Sequence, residues 1–161
     1  MNTLGDMVVK KILIVDDENL ICYALTAALR REDTCARSVS CGKDALAEMD
    51  HTVYDLCILD INLPDMSGLD IMKTVKKVSP ATKIIIMTGG VVSPEMLKSI
   101  QENANLLLPK PFDLDRVKSF VEHILGSETP VRPARGRFSE ENENTVFINY
   151  LRDGMRQYEC C

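Results

Sequence analysis

The chain contains no tryptophan and only two histidines, His51 and His123. Its six cysteines, Cys22, Cys35, Cys41, Cys57, Cys160 and Cys161, include no CxxC pair. A structural zinc site draws four ligands from closely spaced cysteines and histidines, so this pattern excludes one. No apolar stretch reaches the roughly 18–20 residues that span a bilayer. The opening residues, MNTLGDMVVKKILIVDD, lack a basic region ahead of an apolar segment and a small-residue cleavage site, so they do not read as a secretory signal. A cytoplasmic, reducing setting is therefore expected, with Cys22, Cys35, Cys41 and Cys57 serving as small hydrophobes in apolar segments. Positive charge is also in short supply. The net charge is -5, which speaks against a nucleic-acid binder, because such proteins gather basic residues against the phosphate backbone.

What the chain does have is short, unbroken apolar runs. KILIV at 11–15, LCIL at 56–59 and KIIIM at 83–87 are rich in Ile, Val and Leu and do not alternate with polar residues. Strands of this kind are buried on both faces, as in a parallel sheet. CARSV at 35–39 and NLLLP at 105–109 are weaker strands of the same series.

Helical patterns separate the strands. Residues 19–31 place Leu20, Tyr23, Ala24, Ala27 and Ala28 at helical spacing, with Asn19 as the cap. Residues 43–50 offer Ala45, Leu46 and Met49. Residues 67–78 offer Leu69, Met72, Val75 and Val78 and stop before Pro80. Residues 94–103 start on Pro94 after Ser93, a favoured arrangement for the first turn. Residues 113–125 start on Asp113 as a cap and stop at Gly126. His51 and His123 fall on helix surfaces and receive no role. Five strand–helix repeats predict an α/β fold, a doubly wound five-stranded parallel sheet with five helices.

Composition changes after Gly126. GSETPVRPARGRF holds two prolines, two glycines and three arginines, Arg132, Arg135 and Arg137, and reads as a linker over 127–138. A short C-terminal tail over 139–161 carries Phe147, Leu151, Met155 and Tyr158 on one side of a helical pattern. That stripe suits docking to a partner or pairing into a homodimer. Cys160-Cys161 is an oxidation-prone end.

In a doubly wound sheet, ligands bind at the carboxyl ends of the strands, where strand order reverses. Those ends carry Asp16-Asp17-Glu18, Asp60, Thr88-Gly89-Gly90 and Lys110-Pro111. Crowded carboxylates raise one another's pKa unless a cation joins them. A hard divalent ion such as Mg2+ accepts such oxygen ligands. Lys110 is a point charge suited to a phosphate oxygen, and Thr88 offers a hydroxyl to the same group. The set suits Asp60 as a carboxylate nucleophile toward a phosphoryl group.

ILIVDDE at 12–18, LDINLPDMSG at 59–68, IIIMTG at 84–89 and LPKPF at 108–112, in that order, resemble the receiver domain of two-component response regulators, the CheY-like superfamily with a flavodoxin-like fold. The resemblance covers residues 10–125 and places the domain at 8–126. It implies that Asp60 is the phosphoacceptor, that Asp16, Asp17, Asp60 and the Asn62 main-chain carbonyl hold Mg2+, that Thr88 is the switch hydroxyl and that Lys110 is the phosphate partner. It implies a phosphohistidine donor on a sensor histidine kinase or histidine phosphotransfer protein, and often a cis bond before the proline matching Pro111. Such a protein is a phosphoacceptor that catalyses only its own phosphorylation and dephosphorylation. Many receivers carry an aromatic residue three positions before the lysine; here that position is Leu107.

The tail is too short for a usual winged-helix or cyclase output and has no helix-turn-helix pattern. Signalling is thus expected through a protein–protein contact, with neither nucleic acid nor membrane as partner. Other readings fit less well. An aspartyl-phosphate phosphatase needs a second acid two residues after the nucleophile, where Asn62 stands. A degenerate receiver, acting as a phosphorylation-independent interaction module, has no need of the intact acidic pair, Asp60, Thr88 and Lys110. A flavin-binding protein needs a phosphate-cradling loop after the first strand, and DDEN is its electrostatic opposite.

Overall fold

The computed structural model describes residues 8–126. The expected linker at 127–138 with its three arginines, the expected helical tail at 139–161 and Cys160-Cys161 lie outside the described residues. Ten elements alternate along the chain: β1 (Lys10–Val15), α1 (Asn19–Leu29), β2 (Thr34–Val39), α2 (Gly42–His51), β3 (Leu56–Asp60), α3 (Gly68–Val78), β4 (Lys83–Thr88), α4 (Pro94–Asn103), β5 (Leu106–Pro109) and α5 (Leu114–Leu125). The five strands form one parallel sheet in the order β2-β1-β3-β4-β5. This is the doubly wound architecture that the apolar runs predict.

The apolar runs account for the layering. Every residue of β3 is buried, as are Ile12 to Val15 and Ile84 to Thr88. Parallel strands connected by crossover helices are covered on both faces, so neither face can carry a polar alternation. Contacts between α1 and α5, and of α3 with α2 and α4, place the helices in two layers. The largest fully buried side chains include Ile14, Leu25, Ile58, Met72 and Ile85.

Helix ends follow local chemistry. The Ser93 hydroxyl accepts from Met96 N ahead of Pro94, and Asp113 accepts from Asp115 N and Arg116 N. Gly126 closes α5 in the left-handed conformation at φ 65°, where a side chain would be strained.

Four expectations shift. The first helix ends at Leu29 rather than at 31, and Asn19 is its first residue rather than its cap. Glu18 holds the cap position without a side-chain capping bond, because its carboxylate is turned to Lys110. The buried stripe of α1 is Cys22, Leu25 and Leu29, while Leu20 and Tyr23 are 83% and 76% exposed. Spacing fixes a helical period, but an alanine-rich helix offers two apolar stripes, and here the leucine stripe is the one buried. In α3, Ile71 joins Leu69, Met72 and Val75 in the core, whereas Val78 in the last position is exposed. Among the cysteines, Cys22 and Cys57 are buried and Cys41 is half-buried, but Cys35 is exposed. It points outward from β2, an edge strand with only one face well covered.

Below β3 a polar network ties the loops together. Thr82 Oγ1 lies 2.8 Å from both Ser79 Oγ and the Tyr54 carbonyl, and the Tyr54 hydroxyl lies 3.2 Å from Glu48 Oε2. Burial, reinforced by the Glu48 carboxylate, pushes the Tyr54 phenol from 10.0 up to about 12. Burial likewise pushes the Cys57 thiol from 9.0 up to about 12. Both groups keep their protons longer when folded, so the stability they confer is complete below their unfolded values and is lost as pH rises toward 12. Urea unfolding between pH 8.5 and 11.5 is expected to show a steep alkaline decline. Tyr54→Phe should remove on the order of 2 kcal/mol of that decline; an unchanged slope would show that the phenol does not contribute.

Candidate functional site

Strand register assembles the site. Val15 pairs with Leu59 and Asp60 pairs with Met87, so Asp16 emerges beside Asp60. Thr88 pairs with Pro109, which places Lys110 at the same level. Strand order reverses between β1 and β3, and the crevice there opens at the carboxyl ends.

Lys110 is the hub. Its Nζ lies 2.8 Å from Asp16 Oδ2, 2.9 Å from Glu18 Oε1 and 3.1 Å from Asp60 Oδ2. One ammonium thus meets three carboxylates, matching the three donors a lysine carries. Burial works against its charge, but the bonds to Asp16, Glu18 and Asp60 outweigh that cost and hold its pKa above the usual lysine value. Asp16 is fully buried. Burial pushes its pKa up, and Lys110 only partly offsets this. Asp16 Oδ1 accepts from Glu18 N at 2.8 Å. Oδ2 is paired by charge with Lys110 and has no other hydrogen-bond partner.

The loop from Ile61 to Ser67 leaves the site through a tight return. Gly68 N donates to Ile61 O at 2.9 Å, and Asn62 bridges Ser67. Asn62 N lies 3.4 Å from Asp60 Oδ1. A Cβ on Gly68 would sit 2.0 Å from the Asp60 carbonyl oxygen, so glycine is required for α3 to start against the Asp60 backbone. Asp65 reaches across to α2 and accepts from Gly42 N and Lys43 N, both at 2.8 Å. These two bonds hold its carboxyl below the usual range.

Oxygens of Asp16, Asp17 and Asp60 lie within 4.8 Å of one another. With Glu18, four carboxylates gather around this strand end, three of them on one ammonium, and a buried oxygen on Asp16 retains an open lone pair. A small hard cation with oxygen ligands fits this donor set, and the acidic cluster is compatible with a Mg2+ site beside a phosphorylatable aspartate.

The expected residues come together unequally. Asp16, Asp17, Asp60 and Lys110 converge. Thr88 is buried at the same level, but its hydroxyl is engaged within its own loop, donating to Gly90 O and accepting from Gly90 N, each at 3.2 Å. Leu107 is buried in β5. The Lys110–Pro111 bond is cis, in line with the resemblance. Sequence reasoning missed Glu18 as a lysine partner and Asp65 as a tether. Glu18 stands next to the acidic pair, which is a signal of sorts. Asp65 in LPDMSG looks like an ordinary turn residue, and only the fold brings it to α2.

A family model described as the response regulator receiver domain matches residues 12–122. The DNA-binding transcriptional regulator NtrC of Azospirillum brasilense is 35% identical over 137 residues, which is 85% of this chain and 28% of that protein. The chain spans about a quarter of the length of the curated relatives it matches. A CheY-like receiver domain structure from Methanospirillum hungatei JF-1 superposes with a TM-score of 0.69 at 27% identity, covering 73% of this chain and 94% of that one. The response regulator TrrA of Thermotoga maritima, solved with Mg(2+)-BeF, gives 0.64 at 33% identity, covering 72% and 99%.

Two outcomes follow from the geometry. Gly68→Ala should cost about 3 kcal/mol or more in chemical denaturation, because its Cβ meets backbone rather than a movable side chain; a loss below about 1 kcal/mol would show that α3 shifts freely. Lys110→Ala leaves Asp16 buried without a counter-charge and should cost on the order of 3 kcal/mol in EDTA. Mg2+ should restore much of that loss, which a thermal melt at graded Mg2+ would reveal.

Proposed function

The chain belongs to the response regulator receiver family, and on that premise we propose that it accepts a phosphoryl group on Asp60 from a phosphohistidine of a sensor kinase or phosphotransfer protein. The single observation that carries this reading is the ammonium of Lys110 held 3.1 Å from Asp60 Oδ2 at the open end of the sheet. An Asp60 carboxylate oxygen attacks phosphorus, the bond from phosphorus to the donor nitrogen breaks, and the electron pair leaves with the imidazole. Lys110 stays protonated throughout the physiological range, so it can pass from the carboxylates to the incoming phosphoryl oxygens. Asp16, Asp17, Asp60 and the Asn62 main-chain carbonyl would hold Mg2+, which when bound would supply positive charge to offset that on the transferring group.

Thr88 would report the event. Its hydroxyl now holds Gly90; turning to a phosphoryl oxygen would release that pair and loosen the approach to α4. With Leu107 in the core, this release replaces an aromatic rotamer as the route outward, toward the surface of α4, β5 and α5. Output by protein–protein contact is part of the proposal. The DNA binding named for the NtrC relatives is not carried over, because the match covers about a quarter of their length.

Incubation with acetyl phosphate and Mg2+ should add one phosphoryl group to the intact mass. EDTA and Asp60→Asn should each abolish the gain. Retention of the gain in Asp60→Asn would place the acceptor elsewhere.

A further inference from the structure

We propose that Asp65 is a positioning residue for the Mg2+ site, holding the β3–α3 loop, and with it the Asn62 carbonyl, by docking the loop tip onto α2. The inference rests on the phosphoacceptor reading above.

The first turn of α2 has donors and no cap of its own. Cys41 at the cap position makes no side-chain bond. Asp65, some twenty residues away, supplies the capping acceptor that Cys41 does not, with one oxygen for Gly42 N and the other for Lys43 N, both at 2.8 Å. The neighbouring Met66 adds packing: a Cβ on Gly42 would fall 2.3 Å from Met66 Cγ, so the absence of a side chain at Gly42 lets the loop lie directly on the helix.

The same loop is secured differently at its base. Gly68 N to Ile61 O and the Asn62–Ser67 bridge close it on itself. Those bonds fix its base, and Asp65 fixes its tip against another element. Mg2+ demands near-ideal octahedral geometry and tolerates little displacement of a ligand. A carbonyl on a loop free to tilt must be ordered at the moment of binding, and that entropy is subtracted from affinity. Outer-shell partners of metal ligands act in this way.

The test compares Asp65→Ala with Asp113→Ala in the full chain. Asp113 caps α5 through Asp115 N and Arg116 N, a like interaction outside the loop. Mg2+ affinity is read by calorimetry and by amide NMR shifts, alongside melting temperature. Both variants should lose comparable thermal stability. Only Asp65→Ala should bind Mg2+ roughly 10-fold or more weakly. Asp65→Asn, which keeps one acceptor oxygen, should fall between it and wild type, and it serves as the probe if the alanine variant does not fold. An Asp65 variant within about two-fold of wild type, or an equal loss in Asp113→Ala, overturns the proposal. Wild-type protein that binds no Mg2+ overturns instead the phosphoacceptor reading on which the proposal stands.

Discussion

Negative charge gathered at the carboxyl ends of parallel strands is the constraint around which this molecule is arranged. Asp16, Glu18 and Asp60 share one ammonium, and Asp17 stands beside them. Burying Asp16 completely costs free energy that a single lysine repays only in part. The fold tolerates this because the central strands beneath the site are apolar, with Ile14, Ile58 and Ile85 fully buried. The core stabilises the chain, and the rim spends some of that stability on a site with unmet demand for a cation.

Side chain to backbone bonds recur in the loops around the site. Thr88 binds Gly90 across two residues, Asp16 binds Glu18 N, and Asp65 binds the start of α2. Such bonds are individually modest beside the packing of the core. They hold each loop in the arrangement described. No non-glycine residue among those described adopts a positive φ, so the site's energy resides in charge rather than in backbone strain.

Much of this was legible in the chain itself. Three Ile- and Leu-rich runs without polar alternation identify the central strands, because only burial on both faces tolerates them. The acidic pair, Asp60 and Lys110 then follow from topology, since strand ends in such a sheet must converge. Other features were not legible. The phase of α1 depends on which of two apolar stripes the sheet selects, and Leu20 and Tyr23 lie on the one it leaves outside. Exposure of Cys35 depends on β2 being an edge strand, a property of strand order rather than of the segment. The reach of Asp65 to Gly42 joins positions that nothing in the local pattern connects.

The last helix sets the range over which a signal must travel. α5 starts shortly after the Lys110–Pro111 bond and runs twelve residues from Leu114 to Leu125, a rise of about 18 Å. At physiological ionic strength the screening length is only about 8 Å. A charge placed on Asp60 is therefore faint, as a field, at Gly126. A signal read at the far end of α5 would have to arrive as displaced atoms, handed from packed side chain to packed side chain, and the stiffness of the apolar core would set how faithfully it is carried.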